Sequence, residues 1–294
     1  MGVFTSLSRS TSFTSKTTAM FSLTLARHGE TEHNKENIIQ GQLDVPLSAM
    51  GLMQARLLGK YLEQQKYTHV FSSDLSRARE TARCILAMNR ETTCPVSEDK
   101  RLRERKFGSA EGKRLSSLKE AARNANQTVS NYTPPGAETL DQVHQRAVEF
   151  LQELCHKLRH SLPPTGISAK LPQEPAPRPC TEEQVSINES ATSSGSSLGD
   201  DECPALVANV LIVSHGAFLR EMVRHLVDNF GCHVPGNRAQ TLSPNGAVSR
   251  FTIDLCVHEG SRAVCHEFHD REHLMLQGAG HLQTDALSAE NTAL

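Results

Sequence analysis

Phe21-Ser22-Leu23-Thr24-Leu25-Ala26-Arg27-His28-Gly29 is the stretch whose reading decides the fold. An apolar run that breaks into Arg-His-Gly reads as a strand delivering polar residues at its carboxyl end. The chain continues as Glu30-Thr31-Glu32-His33-Asn34. Far downstream a second run, Val210-Leu211-Ile212-Val213, ends in Ser214-His215-Gly216. Two histidines leaving two strands can meet at the carboxyl edge of one parallel sheet, where open α/β sheets bind ligands. An arginine beside one of them suits a phosphoryl group attacked by an imidazole.

Working outward, strands and helices alternate. Ser48 has the character of an N-cap, and Leu52, Ala55, Leu58 and Leu62 follow at helical spacing. Val70-Phe71 reads as a short buried strand, after which Asp74 opens a helix through Ala82, Ile85 and Leu86. Leu140, Val143, Ala147, Phe150, Leu151 and Leu154 mark a helix from Glu138 to about Leu158. The second histidine strand covers 207–213, with a helix from Ala217 to Phe230 behind it. Ala247 to Leu255 and Ala263 to Phe268 read as a closing strand pair. This order predicts a three-layer α/β/α fold on a mostly parallel sheet covered on both faces.

One domain is expected over 21–276, interrupted at 161–204. That interruption is dense in proline and glycine, contains Ser190 to Ser197, and predicts a flexible surface insertion. Residues 277–294 read as a frayed tail. Residues 1–20 are rich in Ser and Thr, carry Arg9 and Lys16, and have no acid, the composition of a mitochondrial transit segment. Met1-Gly2-Val3-Phe4-Thr5-Ser6 also fits a myristoylation pattern, and a plain disordered extension with Met20 as alternative start is the third reading.

Composition excludes several functions. Lys+Arg of 31 against Asp+Glu of 33 leaves a net charge of -2, so no basic field invites nucleic acid. Trp is absent and Tyr numbers 3, which leaves few platforms for stacking bases. No apolar run reaches bilayer length, so no transmembrane segment is expected. The 8 cysteines form no C-x-x-C pair and no metal spacing; they read as reduced thiols of an intracellular protein.

Phosphoryl transfer needs a nucleophile, cationic donors for the equatorial oxygens and an acid for the leaving group. A neutral His28 can be the nucleophile, and neighbouring Arg27 favours the neutral form. Phe71-Ser72-Ser73-Asp74-Leu75-Ser76-Arg77 enters a helix directly after a strand, bringing Ser72, Ser73 and Arg77 to the same edge. Leu102-Arg103-Glu104-Arg105-Lys106-Phe107-Gly108 sets one carboxylate, Glu104, among cations, where it can protonate a departing oxygen and then activate water. Taken singly, each piece has an ordinary reading: a core histidine, a capped helix, a solvated charge run.

Taken together they resemble the histidine phosphatase superfamily, in its phosphoglycerate-mutase-like branch. The pattern R-H-G-x-T-x-x-N is Arg27 to Asn34, S-x-L-x-R-A-x-x-T is Ser73 to Thr81, and the acid loop is Leu102 to Gly108. Gly136-Ala137-Glu138-Thr139-Leu140 and Ser214-His215-Gly216 complete the set. The likeness covers about residues 20–270 apart from the insertion. It implies that His28 becomes phosphorylated and that Arg27, Arg77 and His215 bind the phosphoryl oxygens. Asn34 would add a donor, Glu104 would be the proton donor, and Gln40 and Gly41 would lie on the substrate loop. Lys106, Lys113, Arg114 and Arg220 are the implied candidates for a distal phosphate.

Ile38 to Gln42 and Thr133 to Val143 resemble the fructose-2,6-bisphosphatases within that family. The resemblance therefore implies hydrolysis of fructose 2,6-bisphosphate to fructose 6-phosphate and phosphate. That activity would lower glycolytic flux and favour the pentose phosphate pathway. It further implies no metal or cofactor, a link to apoptosis, and a cytoplasmic protein with nuclear and mitochondrial pools. The implied partners are a small phosphorylated sugar and, through residues 1–20, a mitochondrial protein. Two alternatives stand beside it: a phosphoglycerate mutase or broad small-molecule phosphatase, and a non-catalytic partner-binding member. A mutase must keep its phosphorylated intermediate dry. The short connection from Glu104 to Gly136, with no evident lid, favours hydrolysis.

Overall fold

A computed structural model describes residues 19–160, 205–255 and 262–275. The expected extension before Ala19, the 161–204 insertion and the tail lie outside the described residues. β1 (Ala19–Arg27), β2 (His69–Ser72), β3 (Val96–Glu98), β4 (Ala205–Ser214), β5 (Val248–Asp254) and β6 (Arg262–Asp270) form one sheet, ordered β3-β2-β4-β1-β5-β6. β1 starts two residues ahead of the expected Phe21. β3, β2, β4 and β1 pair in parallel, β5 is antiparallel to β1, and β6 is antiparallel to β5. The sheet is therefore mostly parallel, with β5 alone reversed.

The β1–β4 register begins with Ala19 opposite Ala205 and ends with Arg27 opposite Ser214. Both histidines thus leave the sheet side by side. Alternation along β4 builds the two cores: Val210 and Ile212 point to one face, Leu211 and Val213 to the other. The first face packs against α5 (Leu140–His160) and α6 (Gly216–Phe230), through Val143, Phe150, Phe218 and Met222. The second packs beneath α2 (Ala49–Tyr61) and α3 (Ser76–Met88), through Leu58, Ala78 and Ile85. Each buried Val, Leu, Ile, Phe or Met side chain among these contributes about 1.5–3 kcal/mol. The expected three layers follow from this two-sided burial.

Ser48 caps α2 as anticipated, its side chain accepting from the Gly51 N–H at 3.0 Å. Asp74 does not cap α3. Its two carboxylate oxygens accept the Nε and Nη2 donors of Arg103, each at 2.7 Å. A forked guanidinium satisfies both oxygens at once. The free N–H of Ser76 is met instead by Asp44 at 2.7 Å. The connection after the acid loop, read as lidless, holds a further helix, α4 (Leu115–Asn124). α4 sets Leu118 against Ile39, Phe107 and Ala110 in a small satellite core. Two single-turn helices, α1 (Glu32–Lys35) and α7 (Glu272–Met275), complete the set.

Candidate active site

The turn that carries His28 packs backbone against backbone. A Cβ at Gly29 would lie 2.3 Å from the Gly51 carbonyl oxygen, and one at Gly51 would lie 1.9 Å from that of Glu30. Only glycines allow this approach to the start of α2. Thr81 on α3 accepts from Gly29 N–H at 3.1 Å and donates to the Arg77 carbonyl at 2.8 Å. Asn245 donates to the carbonyls of His28 and Gly29, at 3.1 and 3.3 Å.

His28 and His215 are 2% and 0% exposed, with ring centroids 5.1 Å apart and planes tilted by 58°. His28 Nδ1 lies 2.6 Å from the Gly29 carbonyl oxygen. A carbonyl only accepts, so Nδ1 carries the proton and Nε2 the free lone pair. Burial above all, then the Arg77 and Arg27 charges, hold the His28 imidazole well below its usual range. Burial, followed by Arg77 and His28, does the same for His215. Neither ring nitrogen of His215 has a hydrogen-bond partner. Buried polar atoms without partners are uncommon, and here both belong to the ring that neighbours His28.

Arg77 is almost fully buried, donating from Nη1 to the Leu43 carbonyl and from Nη2 to that of Gly41, both at 2.8 Å. Burial lowers its pKa to about 10, which leaves it cationic at neutral pH. It thereby ties the Gln40–Leu43 loop to α3, with Gly41 in the left-handed region at φ +52. Gln40 is buried and its Oε1 lacks a partner. Arg27 donates to the Ser243 carbonyl at 2.6 Å and lies over Gly216, where a Cβ would sit 3.4 Å from its Cζ. Asn34 closes a capping box with Thr31, its Oδ1 accepting from the Thr31 N–H and hydroxyl, which leaves the amide nitrogen as its donor end.

The Glu104 carboxylate accepts from the N–H groups of Ala217 at 3.1 and 3.2 Å and Phe218 at 3.2 Å. It therefore sits on the first turn of α6, directly after His215, where a helix end favours an anion. Its own loop is clamped by Arg146 on α5, which donates to the carbonyls of Arg101, Arg103 and Glu104. Glu138 pairs with Arg146 at 3.0 Å and accepts from the Lys106 N–H at 2.8 Å. Ser214 Oγ donates to the Leu102 carbonyl at 2.7 Å, so the end of β4 holds the same loop.

Residues 23–161 match the histidine phosphatase superfamily (branch 1). A Xenopus tropicalis protein named fructose-2,6-bisphosphatase TIGAR is 38% identical over 251 residues, covering 81% of this chain and 88% of its own. The Bos taurus protein of the same name is 39% identical over 245 residues, covering 80% and 88%. This chain belongs to the histidine phosphatase superfamily. It is an enzyme, a phosphatase. A solved phosphoglycerate mutase from Bacillus anthracis shares the fold, with a TM-score of 0.62 at 19% identity, covering 88% of this chain and 97% of that one.

Within this histidine phosphatase the structure brings His28, His215, Arg27, Arg77 and Glu104 to one edge, with Gln40 and Gly41 beside Arg77. The side chains of Lys106, Lys113 and Arg114 are exposed. Arg220, by contrast, is 8% exposed, and it lies four residues after Gly216, on the helical face that meets Arg27. Sequence reasoning passed over Asn245, Arg146, Glu111 and the role of Glu138. Glu111 accepts from both Gln42 N–H and Phe107 N–H, at 3.0 and 2.9 Å, joining the Gln40–Leu43 loop to the loop that carries Glu104. For Glu138 the signal was its place within the Gly136-Ala137-Glu138-Thr139-Leu140 motif. Among the described residues, no group of three or more His, Cys, Asp or Glu could hold a metal. No described helix is long and apolar enough to cross a membrane.

Proposed function

We propose that this phosphatase hydrolyses fructose 2,6-bisphosphate at C2 through a phosphohistidine. His28 Nε2 attacks phosphorus while the bond from phosphorus to the C2 oxygen breaks, and Glu104 supplies the proton that oxygen needs. Water then attacks the phosphohistidine, Glu104 takes its proton, and inorganic phosphate leaves. Arg27, Arg77 and His215 hold the equatorial oxygens, with Asn34 adding a donor. Gln40, Gly41, Lys106 and Arg220 contact the rest of the substrate. The observation that carries the chemistry is the pair of buried, facing histidines held neutral beside two arginines. Choice of substrate is supported by the 38–39% identity to proteins named for that activity.

The test is phosphate release without added metal from fructose 2,6-bisphosphate and 2,3-bisphosphoglycerate in parallel. Preference for the sugar bisphosphate supports the proposal, and preference for the glycerate overturns it in favour of a mutase-side enzyme. That second reading draws support from α4, whose Leu118 packs on Phe107 and Ile39 beside the substrate loop and so could help shut out water. Release from neither compound leaves the partner-binding reading. Loss of fructose 2,6-bisphosphate would lower glycolytic flux and favour the pentose phosphate pathway, consistent with a cytoplasmic regulator linked to apoptosis, with nuclear and mitochondrial pools. Residues 1–20, with Arg9, Lys16 and no acid, are what supports a mitochondrial pool and a partner there. Fractionation of the full chain against one starting at Met20 tests this, and identical distributions would remove it.

A further inference from the structure

Behind the catalytic edge, between α5 and α6, lies a carboxylate that the chemistry above does not use. Glu221 is 2% exposed. An isolated carboxylate is costly to bury, so its partners explain its presence. Its Oε1 accepts from Arg220 Nε at 3.2 Å. On its other side, Arg224 Nε and His144 Nδ1 lie 3.2 and 3.6 Å from Oε2. Arg105, on the acid loop, lies close enough to feel Arg220 and Glu221 with opposite signs.

Consecutive residues on a helix do not face one another. Arg220 nevertheless meets Glu221 through Nε, and the neighbouring Nη2 on the same edge of the guanidinium takes no part in that contact. Nη2 is buried and has no hydrogen-bond partner. Arg220 also shares its helical face with Gly216, against which the Arg27 guanidinium rests. The result is a buried cation on the helical face that meets Arg27, held by one buried anion and left with an unpartnered donor.

We infer that Glu221 is a positioning residue for substrate specificity: by holding Arg220 through Nε it presents Nη2 to a second phosphate, and so favours bisphosphates over monoesters. This rests on reading Arg220 as the contact to the distal phosphate. Glu221 itself touches no substrate. It acts by fixing the direction of the fork and by offsetting the cations Arg105, Arg220 and Arg224 packed around it.

The test compares kcat/KM for fructose 2,6-bisphosphate with kcat/KM for p-nitrophenyl phosphate, which carries a single phosphoryl group. Glu221→Gln keeps shape but loses the charge, and should lower the ratio of the two values about tenfold, the scale of one charged hydrogen bond. Arg220→Ala should lower the same ratio, and adding Glu221→Gln to it should lower the ratio no further, because the effect passes through Arg220. Arg220→Lys keeps a cation and leaves Glu221 intact but lacks the fork; it should lose the ratio as well, even should Glu221→Gln prove insoluble. If Arg220→Ala leaves the ratio unchanged, the distal-phosphate reading of Arg220 fails. If it moves the ratio while Glu221→Gln or Arg220→Lys does not, that reading stands and the positioning role is overturned.

Discussion

Removing the His28 imidazole takes away the only lone pair the Gly29 contact leaves aimed outward. His28→Ala should therefore form no phosphoenzyme, read as absence of acid-labile protein phosphate after mixing with labelled substrate; unchanged turnover would sink the mechanism. His215→Ala should cost on the order of a hundredfold in kcat, the scale for one donor to a developing charge. Glu104→Gln keeps an acceptor for the Ala217 and Phe218 N–H groups but cannot shuttle the proton. It should lower kcat while leaving KM nearly unchanged, and a preserved kcat would assign the acid role elsewhere. His28 and His215 were legible because each follows a strand signal, whereas Glu104 stood out as the one carboxylate in a run of cations. Arg146 and Asn245 were not legible: both work on carbonyls brought together from distant segments, 42 to 45 and 216 to 217 positions away in the chain. No local pattern records such contacts.

Among the elements, those with long periodic stripes could be read directly. α2, α5 and α6 each bury an apolar face, and β4 is apolar throughout its buried middle. β3 has three residues and α4 is mostly polar, with Leu118 and Ala122 its only buried positions, so neither carries enough periodicity to stand out. Asp74 deceived because a cap and an ion pair need the same residue, and only the fold shows that Arg103 reaches it. The contact between the His28 turn and α2 gives an element-scale prediction. Gly51→Ala would place a methyl 1.9 Å from the Glu30 carbonyl oxygen, backbone that can yield only by moving the catalytic turn. We expect a lower melting temperature together with a kcat loss of about tenfold or more, since small misplacements of reacting groups are expensive. Wild-type kcat in a destabilised Gly51→Ala protein would mean that the turn does not transmit the shift.

Over the whole molecule, buried histidines couple folding to pH. His28 and His215 are held well below 6.5, chiefly by burial, and burial takes His269 down to about 3. In the unfolded chain each accepts a proton near pH 6.5, whereas the folded protein resists doing so. Stability from these groups is therefore complete above about pH 6.5 and declines as the pH falls toward their folded values. The slope is up to about 1.4 kcal/mol per pH unit for each histidine. The urea midpoint should accordingly be clearly lower at pH 5.5 than at pH 7.5; equal midpoints would contradict neutral burial of this set. Because the nucleophile stays neutral, kcat/KM should show no ionisation near pH 6.5 that belongs to His28.

The register that sets Ala19 against Ala205 and Arg27 against Ser214 also gives the molecule two poles. α5 starts next to the acid loop and, with 21 residues, ends at His160 about 30 Å away. The chain accordingly joins β1, leaves α5 and rejoins β4 at the pole remote from the histidines. A label, a tether or a docking sequence attached through any of those three junctions hangs from the back of the enzyme. Fixed to a surface by that side, the molecule would still turn its histidine edge toward dissolved substrate.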